Sequence, residues 1–227
     1  MTDAMVSLPT LLSMGTSALI AIGLPFVLLF VWRKKTGAKY TAALVGAVIF
    51  PVFALILEAA FHQLFLGQMG SVSQFLLSNP IAYILYGGLM AGIFEETGRL
   101  IGFGWLLRKQ SGKECGVMYG IGHGGIETIL LAGMSMVSNI VFCLNVNAQG
   151  AEAYLMALPP EQMQTMAGAL QGILSANPAL FLVSGIERIF AIVLHISLSV
   201  LVFTAVKRHR LWLYPAAIGL HACVDFI

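Results

Sequence analysis

The feature that most limits how this chain can fold is a recurrence of long apolar stretches, at 8–32, 41–66, 81–107, 115–143, 179–206 and 211–227. A helix needs about 20 such residues to cross the hydrocarbon core of a bilayer. Inside that core only helices or closed barrels satisfy every backbone hydrogen-bonding group. The pattern predicts an all-α, polytopic transmembrane helix bundle of about six spans, organised as a single membrane domain over residues 1–227. Composition agrees, because 59% of the 227 residues are hydrophobic and only 10% are charged, against about 25% charged in a soluble domain.

Charge placement orients the spans. Of the twelve Lys and Arg residues, ten fall in three connections: Arg33, Lys34, Lys35 and Lys39; Arg108, Lys109 and Lys113; Lys207, Arg208 and Arg210. The alternate connections, 67–80 and 144–178, carry no basic residue, so the positive-inside rule predicts an amino terminus on the outside. These inside loops account for the net charge of +2, which gives no pointer to nucleic acid. The opening residues MTDAMVSLPTLL lack a basic n-region, and an uncleaved first helix is expected. Cys115, Cys143 and Cys223 fall at different expected depths and suggest no disulfide. In the outer segment 144–178, Met163, Met166, Leu170, Ile173 and Leu174 recur at helical spacing behind a Pro pair. This spacing predicts either a helix lying at the outer interface or a segment tucked against the bundle. The end of the chain, HACVDFI, has no basic or polar flank, which leaves room for the natural chain to continue.

The stretch GIFEETGRL at 92–100 is out of place in a membrane span. Each charge at a helix centre costs about 2.5–3.5 kcal/mol on insertion scales, so Glu95, Glu96 and Arg99 need partners. Arg99 follows Glu95 by four residues and Glu96 by three, which allows pairing with either. One Arg cannot neutralise both. Counting 1.5 Å per residue from the inner ends places Glu95, Glu96, Arg99, His123, Glu127, His195, His221 and Asp225 between roughly 12 and 21 Å deep. His123 and Glu127, like His221 and Asp225, are spaced i and i+4, so each helix offers an imidazole and a carboxylate on one face. Three imidazoles with several carboxylates suit Zn²⁺, which takes three protein ligands in a catalytic site and leaves a position for water. Such a metal polarises a carbonyl while a free carboxylate serves as general base, the parts needed for peptide-bond hydrolysis inside a membrane.

Other readings compete. A buried ion-pair network can simply hold helices together, making the chain a scaffold, and chains of Asp, Glu and His can relay protons in a carrier. Glu58 and His62 lie near the outer end of the second span, where snorkelling accounts for them, and they are left outside the site. Glu187 and Arg188 read as a structural ion pair, and His209 as a solvated loop residue. YGIGHGGIE contains a literal G-x-G-x-x-G at Gly120, Gly122 and Gly125. It lacks the preceding strand and later acidic residue of a dinucleotide site. These glycines read instead as a smooth helix surface that admits a close neighbour.

EETGR at 95–99, HGGIE at 123–127, ERIFAIVLH ending at His195 and HACVD at 221–225 follow one another across the second half of the chain. On these residues the chain resembles the YhfC family of intramembrane metalloproteases. That family falls in the wider group with the CAAX prenyl-protease and bacteriocin-processing (CPBP) enzymes and the PrsW proteases. The resemblance implies a multi-pass protein of a bacterial-type plasma membrane, with the active-site helices in residues 81–227. It implies a metal-dependent, zinc-using endopeptidase whose partners are the lipid bilayer and a membrane protein or peptide substrate. Glu95 or Glu96 would activate water, and His123, Glu127, His195 and His221 form the pool of metal ligands. Arg99 would pair with a carboxylate and Asp225 would orient His221. Where the prenyl-protease branch has F-x-x-x-H, this chain has His123 followed by Glu127. Either can be the ligand, and a prenylated substrate is not inherited. The same group includes the non-catalytic Aph subunit of gamma-secretase, which keeps the scaffold reading open.

Overall fold

The computed structural model describes residues 5–67 and 70–226, and every element among them is helical. Helix α1, Leu8–Thr36, ends in a turn holding Arg33, Lys34 and Lys35, where cations complement the carboxyl end of the helix dipole. Gly37 follows at φ 72°, a left-handed cap that glycine adopts without strain. Helix α2, Tyr40–Phe50, runs through a π-helical segment, Pro51–Glu58, into α3, Ala59–Leu66. Helix α4, Ser71–Ser78, is followed at once by α5, Pro80–Ile101. Asn79 starts α5, with its Oδ1 accepting the Ala82 amide at 3.2 Å, and Pro80 occupies the first turn. The chain turns by 108° there.

A second π-helical segment, Gly102–Leu106, extends α5. Lys207 Nζ donates to the carbonyl oxygens of Phe103, Leu107 and Arg108 at 3.1–3.2 Å, satisfying acceptors that the helix end leaves open. Helix α6, Lys113–Glu127, continues through a third, Thr128–Gly133, into α7, Met134–Gln149. The short α8, Ala151–Met156, precedes α9, Pro160–Ser175; the long α10, Pro178–Lys207, and α11, Leu213–Asp225, complete the chain.

Leu8–Thr36, Tyr40–Leu66, Lys113–Gln149 and Pro178–Lys207 are each long and apolar enough to cross a membrane. This makes the chain a multi-pass integral membrane protein. The count of about six spans is not met. Pro80–Leu106, which carries Glu95, Glu96 and Arg99, qualifies only together with the sharply bent Ser71–Ser78. With 13 residues, α11 is shorter than the about 20 needed alone.

The chain divides into two compact units. The first holds the residues up to Leu24 and Thr128–Phe190. Its core joins Val6, Met14, Ala18, Met136, Phe142, Cys143, Val146 and Leu155 with Leu170 and Ile173. Segment 144–178 thus includes helix α9 and also tucks in, with Leu170 and Ile173 buried while Met163 and Leu174 stay exposed.

The second unit comprises Pro25–Glu127 and Ala191 onward. Here α2 packs along α6, and α11 along α5. Around Phe103, Met118, Tyr119, Leu198, Val202 and Phe203 lies its core. The glycine run of α6 explains the close packing. A Cβ on Gly122 would overlap the backbone of Ala43, and one on Gly124 would lie 2.8 Å from the Cβ of His195. All three cysteines are free, Cys115 and Cys143 buried and Cys223 exposed.

Replacing Gly122 by Val is expected to destabilise the folded chain by about 1–3 kcal/mol, the usual cost of overpacking. Gly87→Ala, with no atom within 4 Å of the added Cβ, is expected to be neutral. Unfolding midpoints of the two variants in lipid nanodiscs check the contrast.

Candidate metal centre

Four helices of the second unit supply the expected polar residues: α5 carries Glu95, Glu96 and Arg99, α6 carries His123 and Glu127, α10 carries His195, and α11 carries His221 and Asp225. All but Asp225 are buried, and Arg99 and His123 have no accessible surface. Depth counting therefore brought together residues that also meet laterally. The rings of His123 and His195 are 5.3 Å apart between centroids, and those of His195 and His221 are 5.6 Å apart.

Arg99 lies at the centre of the network. It pairs with Glu96, donates to Glu95 Oε2 at 3.5 Å, to His195 Nδ1 at 2.5 Å and, through Nε, to Ser199 Oγ at 3.3 Å. Guanidinium nitrogens can only donate, so His195 Nδ1 carries a lone pair. The proton of His195 then lies on Nε2, which pairs with Glu127. His221 Nδ1 donates to Glu96 Oε1 at 2.7 Å, and its Nε2 lies 3.9 Å from Glu95 Oε1 and 3.5 Å from Asp225 Oδ2. His123 Nε2 donates to Glu95 Oε2 at 2.8 Å, and its Nδ1 is buried without a hydrogen bond.

Ligand atoms of Glu95, His195 and His221 all lie within 4.8 Å of one another, so these three can hold one metal ion. The grouping differs from the expected pool of His123, Glu127, His195 and His221. Glu95 enters it, whereas His123 and Glu127 stand one hydrogen bond away, on Glu95 and His195 respectively. Two imidazoles and a carboxylate are a donor set that fits a zinc site. Each donor residue is also held by its own buried partner: Glu95 by His123, His195 by Glu127 and His221 by Glu96. Partners of that kind orient metal ligands and fix their tautomers. Asp225 Oδ2 lies 3.5 Å from Nε2 of His221, and Glu96 Oε1 lies 2.7 Å from Nδ1 of the same ring.

Three other groups complete the picture. Glu187 and Arg188 of α10 pair with each other in the first unit, with Arg188 Nε donating to Glu187 Oε2 at 2.5 Å. Ser199, buried against Arg99, escaped the sequence reading, although its spacing of four residues from His195 was a usable signal. Glu58 does not snorkel. It is buried, accepts a hydrogen bond from His62 Nε2 at 3.2 Å, and His62 Nδ1 meets Tyr86 Oη at 2.8 Å.

These features define a multi-pass helical membrane protein with a carboxylate–imidazole centre buried among its helices. The chain belongs to the YhfC intramembrane metalloprotease family, whose family model matches residues 17–227. It is 34% identical over 218 residues to a Bacillus subtilis (strain 168) protein described as "Uncharacterized membrane protein YhfC", covering 96% of this chain and 83% of that one. No solved structure matches it.

Replacing Arg99 by Met leaves Glu96 and Glu95 without their cation and is expected to cost about 3–5 kcal/mol of stability. Glu96→Gln in the same chain should recover part of that loss. A double-mutant cycle in unfolding free energy measures the coupling.

Proposed function

We propose that this chain is a zinc-dependent intramembrane endopeptidase acting on membrane-embedded or membrane-adjacent protein substrates. The observation that carries the reading is the convergence of Glu95, His195 and His221 from three helices, each anchored by a separate buried partner. A structural ion-pair brace needs opposite charges. It does not need two imidazoles gathered beside one carboxylate.

In this reading Glu95, His195 and His221 would hold the zinc ion. Zinc supplies a Lewis acid that polarises a carbonyl and lowers the pKa of water toward about 7. His123, Glu127 and Glu96 hold the three ligands in orientation, and Arg99 offsets the negative charge of the carboxylates. The base assignment follows from commitment and access. Glu96 has a side chain with 0% exposure and is taken up by Arg99 and His221, whereas the Asp225 side chain is 35% exposed and stands 3.5 Å from Nε2 of His221. Asp225 Oδ2 therefore takes the proton from the attacking water and passes it to the leaving amine as the C–N bond breaks. This reassigns to Asp225 the role that the family resemblance gave to Glu95 or Glu96.

Purified protein is expected to contain about one zinc per chain, lost in Glu95→Gln, His195→Gln and His221→Gln. Glu127→Gln should retain a site weakened roughly 10- to 100-fold. Asp225→Asn should keep its zinc and lose cleavage of a membrane-anchored reporter by roughly 10²-fold or more. Elemental analysis beside a cleavage assay reads both. Zinc retained by Glu95→Gln with cleavage lost would return the base to Glu95. Purified chain without metal or cleavage, and with lowered stability in the His195 and His221 variants, would favour the scaffold reading.

A further inference from the structure

Buried Glu58 and half-buried His62 and Tyr86 form a second polar group that the proposed chemistry does not use. In the π-helical segment before α3, Leu55, Ile56 and Leu57 are exposed, whereas Glu58, the next residue, is buried. A carboxylate hidden behind three leucine-type side chains reverses what snorkelling would produce. The widened turn accounts for the change of face, and such turns recur at functional sites.

The group has a direction. Entering from the end of the membrane domain near Gly67, His62 on α3 meets Tyr86 on α5. Glu58 lies four residues, about 6 Å, deeper along its helix, and Glu95 nine residues, about 13 Å, deeper than Tyr86 along α5. Side-chain exposure falls along the same line, from 31% at His62 to 11% at Glu58 and 8% at Glu95. Glu58 is also within electrostatic reach of Glu95, His221 and Asp225. Polar groups at such depth persist where they face one another or a water-filled cavity.

We propose that Glu58, His62 and Tyr86 line a passage that carries water from the membrane surface near Gly67 to the carboxylate–imidazole centre. The passage runs between the π-helical segment with α3 on one side and α5 on the other, two walls that pack together. Its three polar side chains offer hydrogen bonds to water in otherwise apolar surroundings. The use of that water for peptide hydrolysis rests on the function proposed above; the passage itself does not.

Substituted-cysteine labelling of the full chain in lipid nanodiscs tests this, with exposed Cys223 replaced by Ser and buried Cys115 and Cys143 as unreactive references. A charged methanethiosulfonate reagent, which stays out of lipid, should modify His62→Cys, Glu58→Cys and Tyr86→Cys on the order of tenfold faster than Leu57→Cys, since the reactive thiolate forms only where water reaches. Modification of His62→Cys alone, with Glu58→Cys and Tyr86→Cys as slow as Leu57→Cys, would overturn the passage. Should Glu58→Cys fail to fold, Tyr86→Cys reads the opposite wall and decides. Labelling needs neither metal nor cleavage, so a protein without protease activity still answers the question. Where hydrolysis does occur, His62→Leu should slow it while leaving the zinc content unchanged.

Discussion

A guanidinium with no accessible surface, enclosed among the helices of a membrane protein, is the constraint around which this structure is built. Arg99 is tolerated because its donors end on Glu96, Glu95, His195 and Ser199. Those bonds tie α5 to α10. Through Glu96 they extend to His221 on α11, and through His195 to Glu127 on α6. Removing a cation from such a network exposes more than one carboxylate to an environment that cannot solvate it. Four helices are thereby locked in one arrangement by polar contacts, where the lipid provides no hydrophobic force to drive helix against helix.

That locking has a chemical consequence. Because Arg99 only donates and Glu96 only accepts, His195 Nδ1 is held as an acceptor and His221 Nδ1 as a donor. Both rings thereby stand beside the same carboxylate, that of Glu95. Close approach of α6 to its neighbours completes the arrangement, since the bare backbone at Gly122 and Gly124 lets Ala43 and His195 come nearer than any side chain would allow. The glycines and the charged motif therefore serve one geometry.

Much of this was legible in the sequence. Hydropathy showed a helical membrane protein, and the rise per residue set the polar groups at one depth, because both depend only on position along a helix. What it could not provide was azimuth across the membrane. Whether Glu95 or His123 faces the ligand cluster depends on which side of α5 meets α6, and on which nitrogen of each ring is taken by a neighbour from another helix. Glu58 was misread because a position near the end of a span does not reveal whether the side chain reaches out to the surface or, as here, is buried against a partner one turn on. The six-span expectation met two further local effects: the bend at Asn79, set by a cap and a proline, and the shortness of α11.

The central claim is that Glu95, His195 and His221 form one metal site inside the membrane domain. X-ray absorption at the zinc edge of the purified chain tests it most directly. The account predicts nitrogen and oxygen ligands at about 2.0–2.2 Å, including two imidazoles, with the two-imidazole signature lost on His221→Gln. A metal-free chain, or sulfur ligation at about 2.3 Å, would contradict it.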